Sequence, residues 1–254
     1  MDPSHKKHSQ QAALEILNNF RMLIMNNKPH IKHYYQIRAL HQEVVDAMVK
    51  YREDGEFEQK IDTDYAIQKE LAHPGKGRNV LRLLQTKFDF NTQVGMQAFY
   101  DLQIYKPAPN MNCITEAFIE KHRYRTPEKI EFLHSMLSSR LNLYKIIGTE
   151  ITEGYVFLQN VFTGEEIKIV DIGLSGNQFN DDVYIYTRII TYHGISFNTG
   201  FTLFFCKEDG FIEDYIKERK NGYNQIGEML RFSELYNHFC EFPGKFEVVT
   251  NELK

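Results

Sequence analysis

The stretch VYIYTRIITYHGISFNTGFTLFF, residues 183–205, decides the class of fold. β-Branched and aromatic residues fill it, and its apolar positions alternate in twos, the period of a strand. His193-Gly194 sits near its centre as a two-residue hairpin turn, so the spacing predicts strands over Val183–Tyr192 and Ile195–Phe205. In the second strand Ile195, Phe197, Phe201, Leu203 and Phe205 share one face. Upstream, Tyr155–Gln159 and Glu166–Ile172 read as two shorter strands, with Gly164 between them where a turn needs a positive φ. These four strands predict an antiparallel meander or small half-open barrel, stable only once its apolar face is covered.

N-terminal to Gly148 the apolar period changes to three and four, which predicts helices. One is expected over about Ser9–Asn26, one from Pro29 to about Tyr51, and a third after Asp62-Thr63 that stops at His73-Pro74. Others follow over Arg78–Phe88, from Asn91 or Thr92 towards Pro107, and around Ile114–Lys121. Thr126-Pro127-Glu128 combines a capping hydroxyl, a proline for the first turn and an acid for the positive end of the dipole. From it a helix is expected through Ile130, Leu133, Leu137, Leu141 and Tyr144, stopped by Gly148. Phe211–Phe239 supplies a closing helix. The expected fold is therefore α+β. A helical part spans residues 1–148 and a β unit with its C-terminal helix spans residues 149–254. No Pro/Ser/Gly-rich linker separates them, so one cooperative body is expected.

An apolar content of 42% with 25% charged residues is that of a globular chain. No apolar run reaches the ~18–20 residues a membrane helix needs. The polar N-terminus MDPSHKKHSQQ has no apolar core of the kind signal peptides carry. Cys113, Cys206 and Cys240 are odd in number and far apart, the pattern of a reducing compartment; a cytoplasmic location and no membrane partner are expected. Charge is uneven: residues 1–150 hold 21 Lys and Arg against 18 Asp and Glu, and residues 151–254 hold 9 against 16. That asymmetry is far short of the basic patch typical of non-specific duplex binders.

Several motifs suggest chemistry and stop short of it. Glu70-Leu-Ala-His73 and Glu131-Phe-Leu-His134 have the Glu-x-x-His spacing of helical di-iron sites, with Glu43, Glu116 and Glu120 on other helices. Two such pairs are close to chance for ten histidines, so no metal site is assigned. His30, His33 and His41 share one expected helix, and a solvated face accounts for them better than zinc, which needs further ligands. Pro74-Gly75-Lys76-Gly77-Arg78 lacks both the spacing and the preceding strand of a phosphate loop. Gly173-Leu174-Ser175-Gly176 is one residue short of a nucleophile elbow. No catalytic residue and no cofactor is expected.

The chain is rich in Tyr and Phe, 15 and 19, and aromatic side chains anchor protein interfaces. The reading that follows is a non-enzymatic interaction or regulatory protein that binds another protein. Its expected contact is an exposed face of Val183–Tyr192 carrying Tyr184, Tyr186, Arg188 and Tyr192. Nucleic-acid binding is the alternative, through Lys76, Arg78 and Arg82 and a second cluster of Lys121, Arg123 and Arg125 around Tyr124. A metal-dependent helical-bundle enzyme built on the Glu-x-x-His pairs is the third reading.

Overall fold

A computed structural model describes residues 27–58, 88–105, 112–121, 123–177, 179, 183–207, 210–219 and 225–242. The helices expected over 9–26, after 62–63 and over most of 78–88 lie outside the described residues. Four helices come first: α1 (Pro29–Glu53), α2 (Gln93–Ile104), α3 (Ile114–Glu120) and α4 (Pro127–Ser138). Then follow β1 (Arg140–Glu150), β2 (Tyr155–Asn160), β3 (Glu166–Val170), a one-turn α5 (Ile172–Ser175), β4 (Val183–Tyr192) and β5 (Ile195–Cys206). Helices α6 (Phe211–Arg219) and α7 (Gln225–Glu241) close the chain. The class is α+β.

Two expectations are corrected. The sheet has five strands, because the helix begun at Pro127 ends at Ser138 and Arg140–Glu150 is a strand. Leu141 and Tyr144 fit the helical stripe by spacing, but the same segment pairs with β2 on one side and β4 on the other. Two ladders of backbone hydrogen bonds and burial of both faces outweigh local helix propensity. The closing helix is likewise two helices, α6 and α7.

The strand order is β3-β2-β1-β4-β5, each neighbour antiparallel, so β4 returns to lie beside β1 in a Greek key. The edge strands β3 and β5 curl into contact without being neighbours in the hydrogen-bonded order, which makes a half-open barrel. Its interior holds Tyr144, Ile146, Val156, Leu158, Ile169, Val183, Ile185 and Ile189, with Leu174 of α5 packed among them. The outer face of β4 and β5 is buried under helices. Ile190, Tyr192 and Phe197 pack with α1, α3 and α4; Tyr184, Tyr186, Phe201, Leu203 and Phe205 pack with α2, α6 and α7.

His193 (φ 47°) and Gly194 (φ 76°) form the tight hairpin between β4 and β5. Farther along, the pairing shifts: Thr187 faces Thr202 but Ile189 faces Asn198, so Arg188 lies opposite Thr199, Gly200 and Phe201. This bulge turns on Gly200, whose φ of +102° is one that L side chains rarely adopt. Open space surrounds the position of a Cβ there, so the cost of Gly200→Ala is conformational alone. That substitution is expected to destabilise the fold by about 1–2 kcal/mol, read as a lower midpoint in urea denaturation.

Candidate functional site

The bulge gathers polar side chains from four elements. Arg188 of β4 is fully buried, and its Nε donates to both oxygens of Asp101 on α2 at 3.1 and 3.0 Å, while Nη2 lies 2.9 Å from Oδ2. Thr199, turned inward by the bulge, donates to Asp101 Oδ1 at 3.3 Å. The Arg188 guanidinium stands 4.8 Å over the Tyr105 ring, and the Tyr105 hydroxyl shares a 2.7 Å hydrogen bond with His41 Nε2 on α1. One turn earlier on α1, Arg38 Nη1 donates to the Asn198 carbonyl at 2.8 Å. Asn198 Nδ2 donates in turn to Asp171 Oδ2 at 2.7 Å, bridging the barrel edges, and Asp171 Oδ1 accepts the Leu174 N–H at 2.8 Å as the cap of α5.

Burial sets the titration of this network. His41 lies against the edges of Phe132 and Phe197, and burial, helped by the charge of Arg38, lowers its pKa to about 3. Burial raises the pKa of Asp171 against the opposing pull of its hydrogen bonds and of Arg38. Burial also raises Tyr34, one turn from Arg38 on α1, to about 12.

The expected contact face on β4 is not exposed. Tyr186 and Arg188 are 0% exposed, Tyr192 3% and Tyr184 8%. The reason is that β4 is buried on both sides as far as Ile190: its even-numbered residues lie under the helices, and Val183, Ile185 and Ile189 fill the barrel. His41, expected on a solvated face, is buried as well. Lys76, Arg78 and Arg82 lie outside the described residues. Lys121, Arg123 and Arg125 are exposed, and two of them converge on α1: Lys121 donates to the Tyr51 hydroxyl, and Arg123 stands 4.8 Å over the Tyr51 ring and pairs with Glu56. Glu70 and His73 lie outside the described residues; Glu131 faces His193 at 3.1 Å. Among the described residues no group of three or more His, Cys, Asp or Glu can hold a metal ion. Nor is any described helix long and apolar enough to cross a membrane.

A surface the sequence did not single out lies where α2 begins. Phe90 is 54% exposed and Met96 38%, and Phe90 meets the edge of Phe99 at 5.0 Å between ring centres. Phe88 backs both rings at 6.2 and 5.5 Å, and Arg52 of α1 lies 4.6 Å over Phe99. Thr92 caps the helix, accepting the Gly95 N–H at 3.1 Å, and so fixes the turn that presents Phe90. An aromatic pair with an exposed methionine and a stacked arginine has the composition of an interface centre.

The fold and this network define a helix-covered, half-open β-barrel protein whose buried polar groups tie its layers together. The chain belongs to DUF7986, a family of unknown function whose model matches residues 28–239. No curated protein and no solved structure matches it.

The depressed His41 pKa has a stability consequence. The unfolded chain takes up a proton near pH 6.5 and the folded chain only near 3, so stability is full above 6.5 and falls as pH drops. The limiting slope is about 1.4 kcal/mol per pH unit. Asp171, with its raised pKa, acts in the opposite sense as pH falls through its folded-state pKa. Between about pH 6.5 and 5 a variant that lacks His41 but keeps Asp171 separates the two contributions. His41→Gln is expected to flatten the stability profile in that window, measured by urea denaturation across pH.

Proposed function

We propose that this chain is a non-enzymatic interaction or regulatory protein that binds another protein, with the surface around Phe90, Met96 and Phe99 as its contact. The exposure of Phe90 beside Phe99 and Met96 supports the reading: such a side chain sheds water only when a partner covers it. The rings are already ordered against Phe88 and beneath Arg52, so little conformational entropy is lost on docking. Arg52 adds a donor at the rim, beside the Tyr100 hydroxyl that donates to Glu53 at 3.2 Å. A complementary partner presents an apolar anchor flanked by a carboxylate.

The test places a photo-crosslinking amino acid at Met96 in cells that naturally make the protein, with and without Phe90→Asp. A discrete adduct is expected, reduced about tenfold or more by Phe90→Asp, the loss typical of a central anchor. Because Phe90 is exposed, melting of the purified variant should stay close to that of the parent. An adduct pattern indifferent to Phe90→Asp would sink the reading.

A further inference from the structure

The described helices leave part of the barrel's outer surface in contact with solvent. At the start of β1 they cover Leu141 and Leu143, which pack with α2, α6 and α7; towards its end Lys145 is half-buried and Glu150 exposed. β2 and β3 continue that face with half-buried Tyr155, Phe157 and Gln159 and exposed Glu166 and Lys168. Two isoleucines mark its β1 edge. Ile147, turned outward because Ile146 fills the barrel, is 43% exposed, and Ile151 in the turn to β2 is 37% exposed. Phe157, opposite Gly148 on the neighbouring strand, joins none of the three core clusters. These three side chains make an apolar strip on an otherwise polar face, and a cover that removes it from water is stabilising.

The chain enters α1 at the rim of this face. Lys28, the N-cap of α1, pairs with Glu153, and His30 Nε2 donates to the Glu153 carbonyl at 2.9 Å. The His30 ring stacks on Tyr155 with centroids 4.9 Å apart. The first turn of α1 is thereby fastened to the turn between β1 and β2 that carries Ile151. Residues 1–26 precede this point, so their course starts beside Glu153 and Tyr155. Within them Ala13, Leu14, Leu17, Phe20, Leu23 and Ile24 recur at helical spacing, and Gln11, Glu15, Asn18 and Asn19 fall on the opposite side. A helix over 9–26 is about 27 Å long at ~1.5 Å per residue, ample to cross three strands spaced ~4.8 Å apart.

We infer that residues 9–26 of this chain dock as an amphipathic helix on the outer face of β1–β3, their apolar stripe over Ile147, Ile151 and Phe157. A helix of this length is marginal alone in water and forms when its stripe meets an apolar surface. The strip begins at the turn to which Lys28 and His30 are fastened, within reach of the segment's point of attachment. A short tether holds the segment at an effective concentration in the millimolar range, so it outcompetes a separate protein of similar affinity. Charge has no part in the choice, because Lys145 and Lys168 on this face are matched by Glu150 and Glu166. Docked there, the segment extends the helical wall over strands that the described helices leave in water. The contact uses no residue of the Phe90 surface and does not rest on that reading.

The experiment puts the photo-crosslinking residue benzoylphenylalanine at Ile147 of the full chain, which is purified, irradiated and digested for mass spectrometry. Ile147 is exposed, so the barrel accommodates the larger ring. The expected product is a link within one chain to a residue in 9–26. Its yield should hold on about tenfold dilution, because the tether sets the local concentration. Leu17→Asp should cut that yield about tenfold or more, as should Ile151→Asp on the other side of the contact. Asn18→Asp brings the same charge to the polar side of the segment and should leave the yield unchanged. Ile151 is exposed and Leu17 precedes α1, so neither variant removes a residue from the described core. Absence of a link, a link between two chains, or a link confined to residues 27–254 overturns the inference. So does a yield that Leu17→Asp and Asn18→Asp lower alike.

Discussion

A guanidinium fully enclosed by protein has to be met by an opposite charge, and at Arg188 that requirement organises the molecule. Asp101 answers it with both carboxylate oxygens, and to do so α2 must lie across β4 at one position along its axis. Buried ion pairs of this kind add little net stability over an apolar replacement, but a broken one is costly, so they select one packing over its neighbours. A helix slipped by one residue along the sheet would leave both charges unpaired. The bulge in β5 serves the same pair: without the extra residues opposite Arg188, Thr199 would not reach Asp101.

From that contact the polar order spreads to the barrel's seam. Tyr105 follows Asp101 at the end of α2, lies beneath the guanidinium, and passes a hydrogen bond to His41 on α1. Through Arg38 and Asn198, the same helix reaches Asp171, where the two edge strands meet and α5 begins. Closing the barrel and docking the helices are thus one event, because Arg38 bonds to the strand whose Asn198 bridges the seam. This coupling explains why the seam is open in backbone terms yet fixed: side-chain hydrogen bonds take the place of a fifth ladder.

The sequence carried more of this than of its consequences. Strand bounds at Val183, Tyr192 and Ile195 were legible because alternation and the His193-Gly194 turn agree. Arg140–Glu150 was not, since Leu141 and Tyr144 satisfy a helical stripe equally well and only the partners on each side choose the strand. A clue to the burial of β4 was present. Val183–Ile190 has one charge, at Arg188, among apolar and hydroxyl residues, the composition of a strand covered on both faces rather than one. A lone arginine in such a run implies a buried acid, but nothing local points to Asp101, 87 positions away. His41 was misjudged for the same cause, because its ring is drawn inward by Tyr105 and Phe197 from distant segments. Phe90 carries no sequence signal at all: an exposed phenylalanine and a core phenylalanine are the same letter.

Perturbed titration marks functional sites often enough to be sought, yet it has a second origin in networks that hold a fold together. His41 and Asp171 belong to the second kind. A general base needs a lone pair turned towards a substrate, whereas His41 Nε2 is taken up by Tyr105 and both Asp171 oxygens accept hydrogen bonds from the protein itself. His41 is turned inward, whereas Phe90 and Met96 face solvent. On the reading proposed above, the rigid inner layers hold that outer surface still. The Thr92 cap works in that way, fixing the turn that presents Phe90 while the ring stays exposed.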